Sequence, residues 1–463
     1  MNLSASQTTT TTSRRLFDPA TAMILAVVFY GTAVRNNSPG GGLAVTLATL
    51  LVAYAVWRSH KEASHGLDEG GPWETRLLAA ILVFSLLGAL GWAPAEIGPT
   101  SAWLERLPSL AWAGLATWLF LTRRGDSRQP VMVAVTVLTV ALTLLVGIIH
   151  LSETRNVSLD VNLLHRASAD AIAGGENPYS EAVETPVGSP TAGVEETIVG
   201  YPYPPVTALS YAVGEWVFSD PRFISLISWV AVLTLLGVSG IRQKRPSTLL
   251  LMLLLASMPG WPLMLRAAWT EPLTLAFLTI SLVLWHRAVG SGLALGLGLA
   301  SKQYFVVTAP LLLLHRDPGW MRRLVIAASV VVVTIGAALA IGPADFWSAA
   351  VEYHMNTPVR VDSSNLIGLL SSFGVDWAPP AVLGLVAGLL AAMAVGRMSH
   401  RSATFMIGMA LTLAVSFLPA SQAFANYWFL IAGLLVLGMA GGATGEARET
   451  AYPEEPRANR DAR

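Results

Sequence analysis

The chain contains no cysteine. That excludes disulfides, thiolate metal sites and cysteine nucleophiles, and it removes redox chemistry as a guide to compartment. Charge is scarce as well: Asp, Glu, Lys and Arg make up 13% of the 463 residues, about half the ~25% usual in soluble domains. The formal net charge is zero, so no global field favours nucleic acid or an acidic partner. A glycine-rich loop of the nucleotide-phosphate type is missing. Gly292 to Gly298 (GLALGLG) has the small-residue spacing of helix packing instead. No Asp-x-Asp pair occurs in the polar loop described below, Asp160-Val161-Asn162 being the nearest approach. We therefore expect no cofactor and no divalent ion.

Apolar residues are what the chain has in excess: 53% are hydrophobic and the mean hydropathy is +0.56. This composition describes a polytopic membrane protein, one apolar bundle in place of a string of soluble domains. Runs approaching the ~17–25 residues of a spanning helix fall near 20–35, 42–57, 75–93, 107–122, 131–150, 223–240, 248–264, 270–286, 324–342, 379–396, 404–420 and 424–441. The expected fold is all-α, a polytopic transmembrane helical bundle with a large extracytoplasmic loop bearing in-plane helices. Its expected parts are a disordered cytoplasmic N-terminus (1–19), an N-terminal four-helix membrane module (20–122), the main membrane domain (131–441) and a disordered cytoplasmic tail (442–463). Ser13-Arg14-Arg15 before the first run reads as a cytoplasmic anchor in preference to a twin-arginine signal.

Basic clusters follow Trp57 and recur at Arg123-Arg124, Arg242 to Arg245, His315 to Arg323, and Arg397 with Arg401. By the positive-inside rule these face the cytoplasm. Keeping them on one side has two consequences. Residues 206–218 are too short to span and are expected in-plane at the outer interface. Residues 291–314, interrupted by Ser301-Lys302-Gln303, are expected as two half-helices meeting at Lys302, and broken helices of this kind line polar cavities. The loop 151–205, the turn Arg266–Glu271, Lys302, the segment 343–378 and the turn Ser421–Asn426 then share the outer face.

A polar stretch from Ser158 to Pro205 interrupts the apolar chain. Unstructured chain held between membrane helices is costly, so a loop of this length points to function. Asp160 opens it, and the alternative to a chemical role there is a helix cap. Glu271 stands at the outer end of a membrane helix, where an ionisable group is expensive and usually functional; its structural alternative is an ion pair with Arg266. Lys302 at the helix break and Arg266 near the surface are cations suited to an anionic group, against the alternative of snorkelling side chains. His354 and Arg360 lie in the second outer segment. Tyr203-Pro204-Pro205 has the stiffness to launch a helix, and Asn426-Tyr427-Trp428 reads as an interfacial anchor with Asn426 in reach of the site.

Several of these residues occur in a familiar order. Val157-Ser158-Leu159-Asp160, Gly175-Glu176-Asn177-Pro178-Tyr179, Tyr203-Pro204-Pro205, Asp220-x-Arg222, Trp269-Thr270-Glu271-Pro272-Leu273, Gly292 to Lys302 and Asn426-Tyr427-Trp428 together resemble the GT-C superfamily of membrane glycosyltransferases. Within it they look most like the bacterial polyprenyl-phosphate-mannose-dependent mannosyltransferase branch. The resemblance covers roughly 131–441. It implies that Asp160 is the general base that takes the acceptor hydroxyl's proton, a role a positioned carboxylate fills as the new bond forms. Glu271, Lys302, Arg266, His354, Asn426 and Tyr203 are then the expected substrate-binding residues, with fixed cations meeting the phosphate leaving group. The implied partners are a polyprenyl-phosphate-linked sugar donor, mannose by this resemblance, a glycolipid or glycan acceptor and membrane lipid, with no nucleic acid. The implied location is the bacterial plasma membrane with the active site facing the extracytoplasmic side. Two other classes compete: a secondary transporter or lipid flippase, which predicts an internal repeat that the sequence lacks, and a non-catalytic subunit of an envelope-assembly complex.

Overall fold

A computed structural model describes residues 18–33, 39–61, 72–90, 101–122, 128–154, 160–181, 183–185, 197–360, 363–375 and 379–449. Within them the architecture is helical. Four helices open the chain: α1 (Pro19–Ala33), α2 (Pro39–Lys61), α3 (Pro72–Ala89) and α4 (Ser101–Thr122). After α5 (Arg128–Glu153) come α6 (Asp160–Gly174), a short antiparallel ribbon of β1 (Val183–Thr185) and β2 (Thr197–Val199) with Glu184 opposite Ile198, and α7 (Pro205–Phe218). The ribbon is the one pair of strands among the described residues, and the hydrophobic pattern gave no sign of it. The bundle continues with α8 (Arg222–Gln243), α9 (Pro246–Ser257), α10 (Trp261–Arg266), α11 (Glu271–Val283) and α12 (Ala288–Leu299). A 3-10 segment, Gln303–Thr308, leads into α13 (Ala309–Leu314), followed by α14 (Trp320–Ile341), α15 (Pro343–Trp347), α16 (Tyr353–Asn356), α17 (Leu366–Ser371), α18 (Pro380–Gly396), α19 (Ser402–Phe417) and α20 (Ala425–Glu449).

Each expected apolar run is helical, with two corrections. The run 248–264 is split, because Gly260 takes a φ of 106° that ends one helix and turns the chain into α10. The tail expected to begin at 442 continues as helix to Glu449, since Ala443, Ala447, Glu446 and Arg448 are good helix formers and no proline intervenes before Pro453. The twin-arginine pair, Arg123-Arg124 and Val157 to Leu159 lie outside the described residues. Among the described residues four helices can cross a membrane by length and composition, Gly41–Arg58, Arg128–Glu153, Arg222–Gln243 and Trp320–Ile341, and shorter apolar helices of 10–17 residues accompany them.

Burial sorts the helices into centre and rim. All of α9 is buried, as is α20 from Trp428 to Val436. By contrast α14 leaves Val332 and Val333 about 70% exposed on a face suited to lipid. Between α12 and α14 the packing depends on glycine, as the GLALGLG run suggested. A Cβ at Gly292 would stand 2.8 Å from the Arg323 carbonyl oxygen, and one at Gly296 would stand 2.7 Å from Val330 Cβ. Helices in lipid gain little from apolar burial and adhere through such close approach. The first four helices join the same core: Tyr30 of α1 stacks on Trp428 of α20 at 5.5 Å.

The expected re-entrant hairpin is present. From neighbouring starts at one end of the bundle, where Trp285 and Trp320 stack at 5.9 Å, α12 and α14 run in the same sense. At 1.5 Å per residue the 12 residues of α12 rise about 18 Å and the 22 of α14 about 33 Å. Lys302, just beyond α12, is therefore recessed inside the bundle. The segment after α14 is tied down by Asn365, which caps α17 through Gly368 N (2.8 Å) and donates to the carbonyls of Phe417 (3.1 Å) and Ala420 (2.7 Å).

Candidate active site

Three breaks in regular helix meet at one end of the bundle: the α10–α11 turn, the α12 break and the start of α20. Pro272 in the first turn of α11 fits there, where its missing N–H has no helical partner. That places Glu271 at the helix start, fully buried. Its partner is Lys302, whose Nζ lies 3.0 Å from Glu271 Oε1, where the structural alternative had paired it with Arg266. Asn426 Nδ2 donates to the same oxygen at 2.9 Å. The break itself is secured by Thr207 Oγ1 donating to the Ser301 carbonyl (2.5 Å) and by Thr274 Oγ1 with Ser301 Oγ (2.8 Å).

The cluster is not closed on itself. Among the described residues Glu271 Oε2 and Asn426 Oδ1 accept no hydrogen bond and the Tyr304 hydroxyl makes none, although all are buried. The Tyr304 hydroxyl faces Glu271 without completing a bond. Buried polar groups are ordinarily satisfied, so this arrangement holds spare capacity for hydroxyl groups of a ligand or for water.

Tyr203 stands beside the cluster and within the field of Asp160. Its ring lies 4.4 Å from Lys302 Nζ, and its hydroxyl feels both Asp160 and Glu271, which together with burial hold it well above the ordinary phenol range. Asp160 is the first residue of α6, and its Oδ1 accepts the Val161 amide at 2.8 Å, so part of the helix-start alternative holds. Burial nevertheless raises its pKa, opposed by the Val161 amide and the positive charge of Arg360. Arg360 lies over the Phe424 ring at 4.6 Å, with its amide on the Ser421 carbonyl. His354 Nε2 donates to the Pro202 carbonyl at 3.2 Å. Burial chiefly, with some help from the Lys302 charge, depresses its pKa to about 4, so at neutral pH it is an uncharged tie on the Tyr203 loop.

Of the seven residues singled out from the sequence, Glu271, Lys302, Asn426 and Tyr203 are thus brought together, His354 is tied to the residue before Tyr203, and Asp160 acts on the Tyr203 hydroxyl through its charge. Arg266 ends α10, and its charge acts on His150 of α5. Tyr304, Tyr353 and Thr270 are additions that sequence reasoning missed; Tyr353 feels the Asp160 charge and Thr270 Oγ1 is buried without a partner. Tyr304 had a signal, standing two residues past Lys302 at the break. Among the described residues no group of three or more His, Asp or Glu is arranged to hold a metal ion.

Residues 201–420, just under half of the chain, match the family model for glycosyltransferase family 87. The match indicates a membrane glycosyltransferase. It takes in Tyr203, Arg266, Glu271, Lys302 and His354, and it leaves Asp160 and Asn426 outside its limits. No curated protein and no solved structure matches the chain.

Proposed function

We propose that this membrane glycosyltransferase moves a sugar, mannose by its sequence resemblance, from a polyprenyl-phosphate donor to a glycolipid or glycan acceptor on the extracytoplasmic side of a bacterial plasma membrane. Asp160 takes the acceptor hydroxyl's proton as the oxygen attacks the anomeric carbon. The bond to the donor phosphate breaks on the opposite face, so the configuration inverts. A carboxylate whose pKa is raised by burial is a stronger base than an exposed one, which suits that step.

The observation that carries the reading is the recessed Glu271–Lys302–Asn426 cluster, with its spare acceptor oxygens, and Tyr203 beside it within the field of Asp160. Lys302 and Arg360 are the cations in reach of a departing phosphate, whose growing charge needs fixed positive groups. Glu271 Oε2 and Asn426 Oδ1 are the acceptors for sugar hydroxyls. The family match and the one-sided convergence favour the enzyme over a transporter or docking subunit.

The test is a transfer assay on purified protein with a radiolabelled polyprenyl-phosphate sugar and envelope glycolipid acceptors. Wild type forms labelled product, and Asp160→Asn lowers kcat by about 10²–10⁴, the range for removing a general base. Wild-type rates in that variant would remove Asp160 as the base.

A further inference from the structure

His165 was visible in the sequence but has no part in the chemistry above. It lies on α6, five residues beyond Asp160. At 3.6 residues per turn this puts it about 140° around the helix from Asp160, toward the α10–α11 turn. It is 1% exposed. Its ring stacks on Tyr211 of α7 at 3.8 Å with 7° between planes.

Both ring nitrogens are committed to protein partners. Nε2 lies 3.1 Å from the Ala268 carbonyl oxygen, which only accepts, so Nε2 carries the hydrogen. Nδ1, 3.0 Å from the Tyr201 hydroxyl, is then the acceptor. Neither nitrogen is left to exchange a proton with a substrate.

The residue it holds is strained. Ala268 has a φ of 54°, a left-handed conformation that a side chain adopts at a cost. The next carbonyl, of Trp269, accepts from Tyr211 Oη at 3.0 Å and from Ser225 Oγ at 3.2 Å. Two stacked rings therefore grip two successive carbonyls of the turn, and Glu271 begins α11 two residues later.

We propose that His165, with Tyr211 as its stacking partner, is a positioning residue: it ties the helix that carries Asp160 to the turn that carries Glu271, and so holds the base in register with the Glu271–Lys302 cluster. The inference rests on the transferase reading for its kinetic consequence and on geometry alone for the tie.

The test uses the full chain in lipid nanodiscs, with His165→Leu, which removes both bonds, and His165→Gln, which restores a donor and an acceptor. Hydrogen exchange and steady-state transfer kinetics are read together. We expect His165→Leu to speed exchange at least tenfold in residues 160–174 and 261–273 while α14 keeps its wild-type rate. Its kcat falls about 10²-fold, the effect of misplacing a catalytic group by about 1 Å, with KM within about threefold. His165→Gln recovers most of both. Should His165→Leu not fold, Tyr211→Phe, which keeps the stacked ring and deletes the hydroxyl shared by the Trp269 carbonyl and Ser225 Oγ, shows the same localised exchange pattern. Unchanged exchange at 261–273 in a folded variant overturns the tie. A fall in melting temperature with unchanged kcat, or a Gln variant equal to Leu in both readouts, overturns the positioning role. A wild-type chain with no transfer activity sinks the transferase reading, whereas the exchange contrast decides the tie by itself.

Discussion

Two ion pairs of this bundle, one toward each end, are finished differently. At the end bearing the basic clusters, Arg323 Nη1 meets Asp317 Oδ2 at 3.0 Å, its Nη2 donates to the Trp285 carbonyl and its guanidinium lies 4.1 Å over the Trp285 ring. The same indole donates to Asp317 at 2.7 Å. Trp285 thus bonds both partners, and the pair clasps the two ends of the re-entrant hairpin to the start of α14 while the Arg323 Nε donor stays unspent. At the other end Glu271 spends one oxygen on Lys302 and Asn426 and leaves the other unbonded. A pair whose spare atom is a donor held beside an indole serves the fold; a pair with a spare carboxylate oxygen beside the unbonded Asn426 Oδ1 and Tyr304 hydroxyl is set up for a ligand.

The sharpest way to break that comparison is to break both pairs. Lys302→Met leaves the Glu271 carboxylate buried and uncompensated, a loss of about 3–5 kcal/mol that thermal unfolding in detergent will show. Adding Glu271→Leu removes the stranded charge and returns the stability, yet transfer activity stays lost. The matching double variant Arg323→Met with Asp317→Leu keeps transfer within about threefold of wild type. Equal activity losses at the two ends would erase the distinction between them.

The second prediction concerns pH. Because burial raises the Asp160 pKa from 3.8, the acid limb of kcat/KM lies above that value, and activity falls as pH drops through it. The stability effect has the opposite sign. A raised carboxyl pKa contributes stability that is fully present below the unfolded value and is lost as pH rises through the folded one. Asp160→Asn should therefore melt at or above the wild-type temperature at pH 7 while losing turnover. A variant less stable than wild type would show that the ionised carboxylate is part of the fold, like Asp317.

A smaller effect is expected at Tyr203, whose ring covers Lys302. Tyr203→Phe retains the cation–π contact and stays close to wild type in stability, whereas Tyr203→Ala loses about 0.5–2 kcal/mol. Denaturation of the two variants side by side measures the difference. Equal losses would assign the contribution to the hydroxyl.

The chemical character of this chain was written in its sequence. Low charge and periodic apolar runs dictated helices, because lipid leaves no other way to satisfy a lone backbone. Lys302 between two ten-residue apolar stretches foretold the broken helix, and Glu271 at the start of an apolar run stood out as an ionisable group in need of a partner. Local pattern carries such features because each depends on neighbours along the chain. It was silent on pairing: that Glu271 takes Lys302, that the Arg266 charge acts on His150, that His354 and His165 are spent on backbone carbonyls, and that Tyr304 turns toward Glu271. Those outcomes depend on contacts between residues up to 152 positions apart, and burial decides them, since a desolvated charge must take whichever opposite charge or dipole the packing brings within reach.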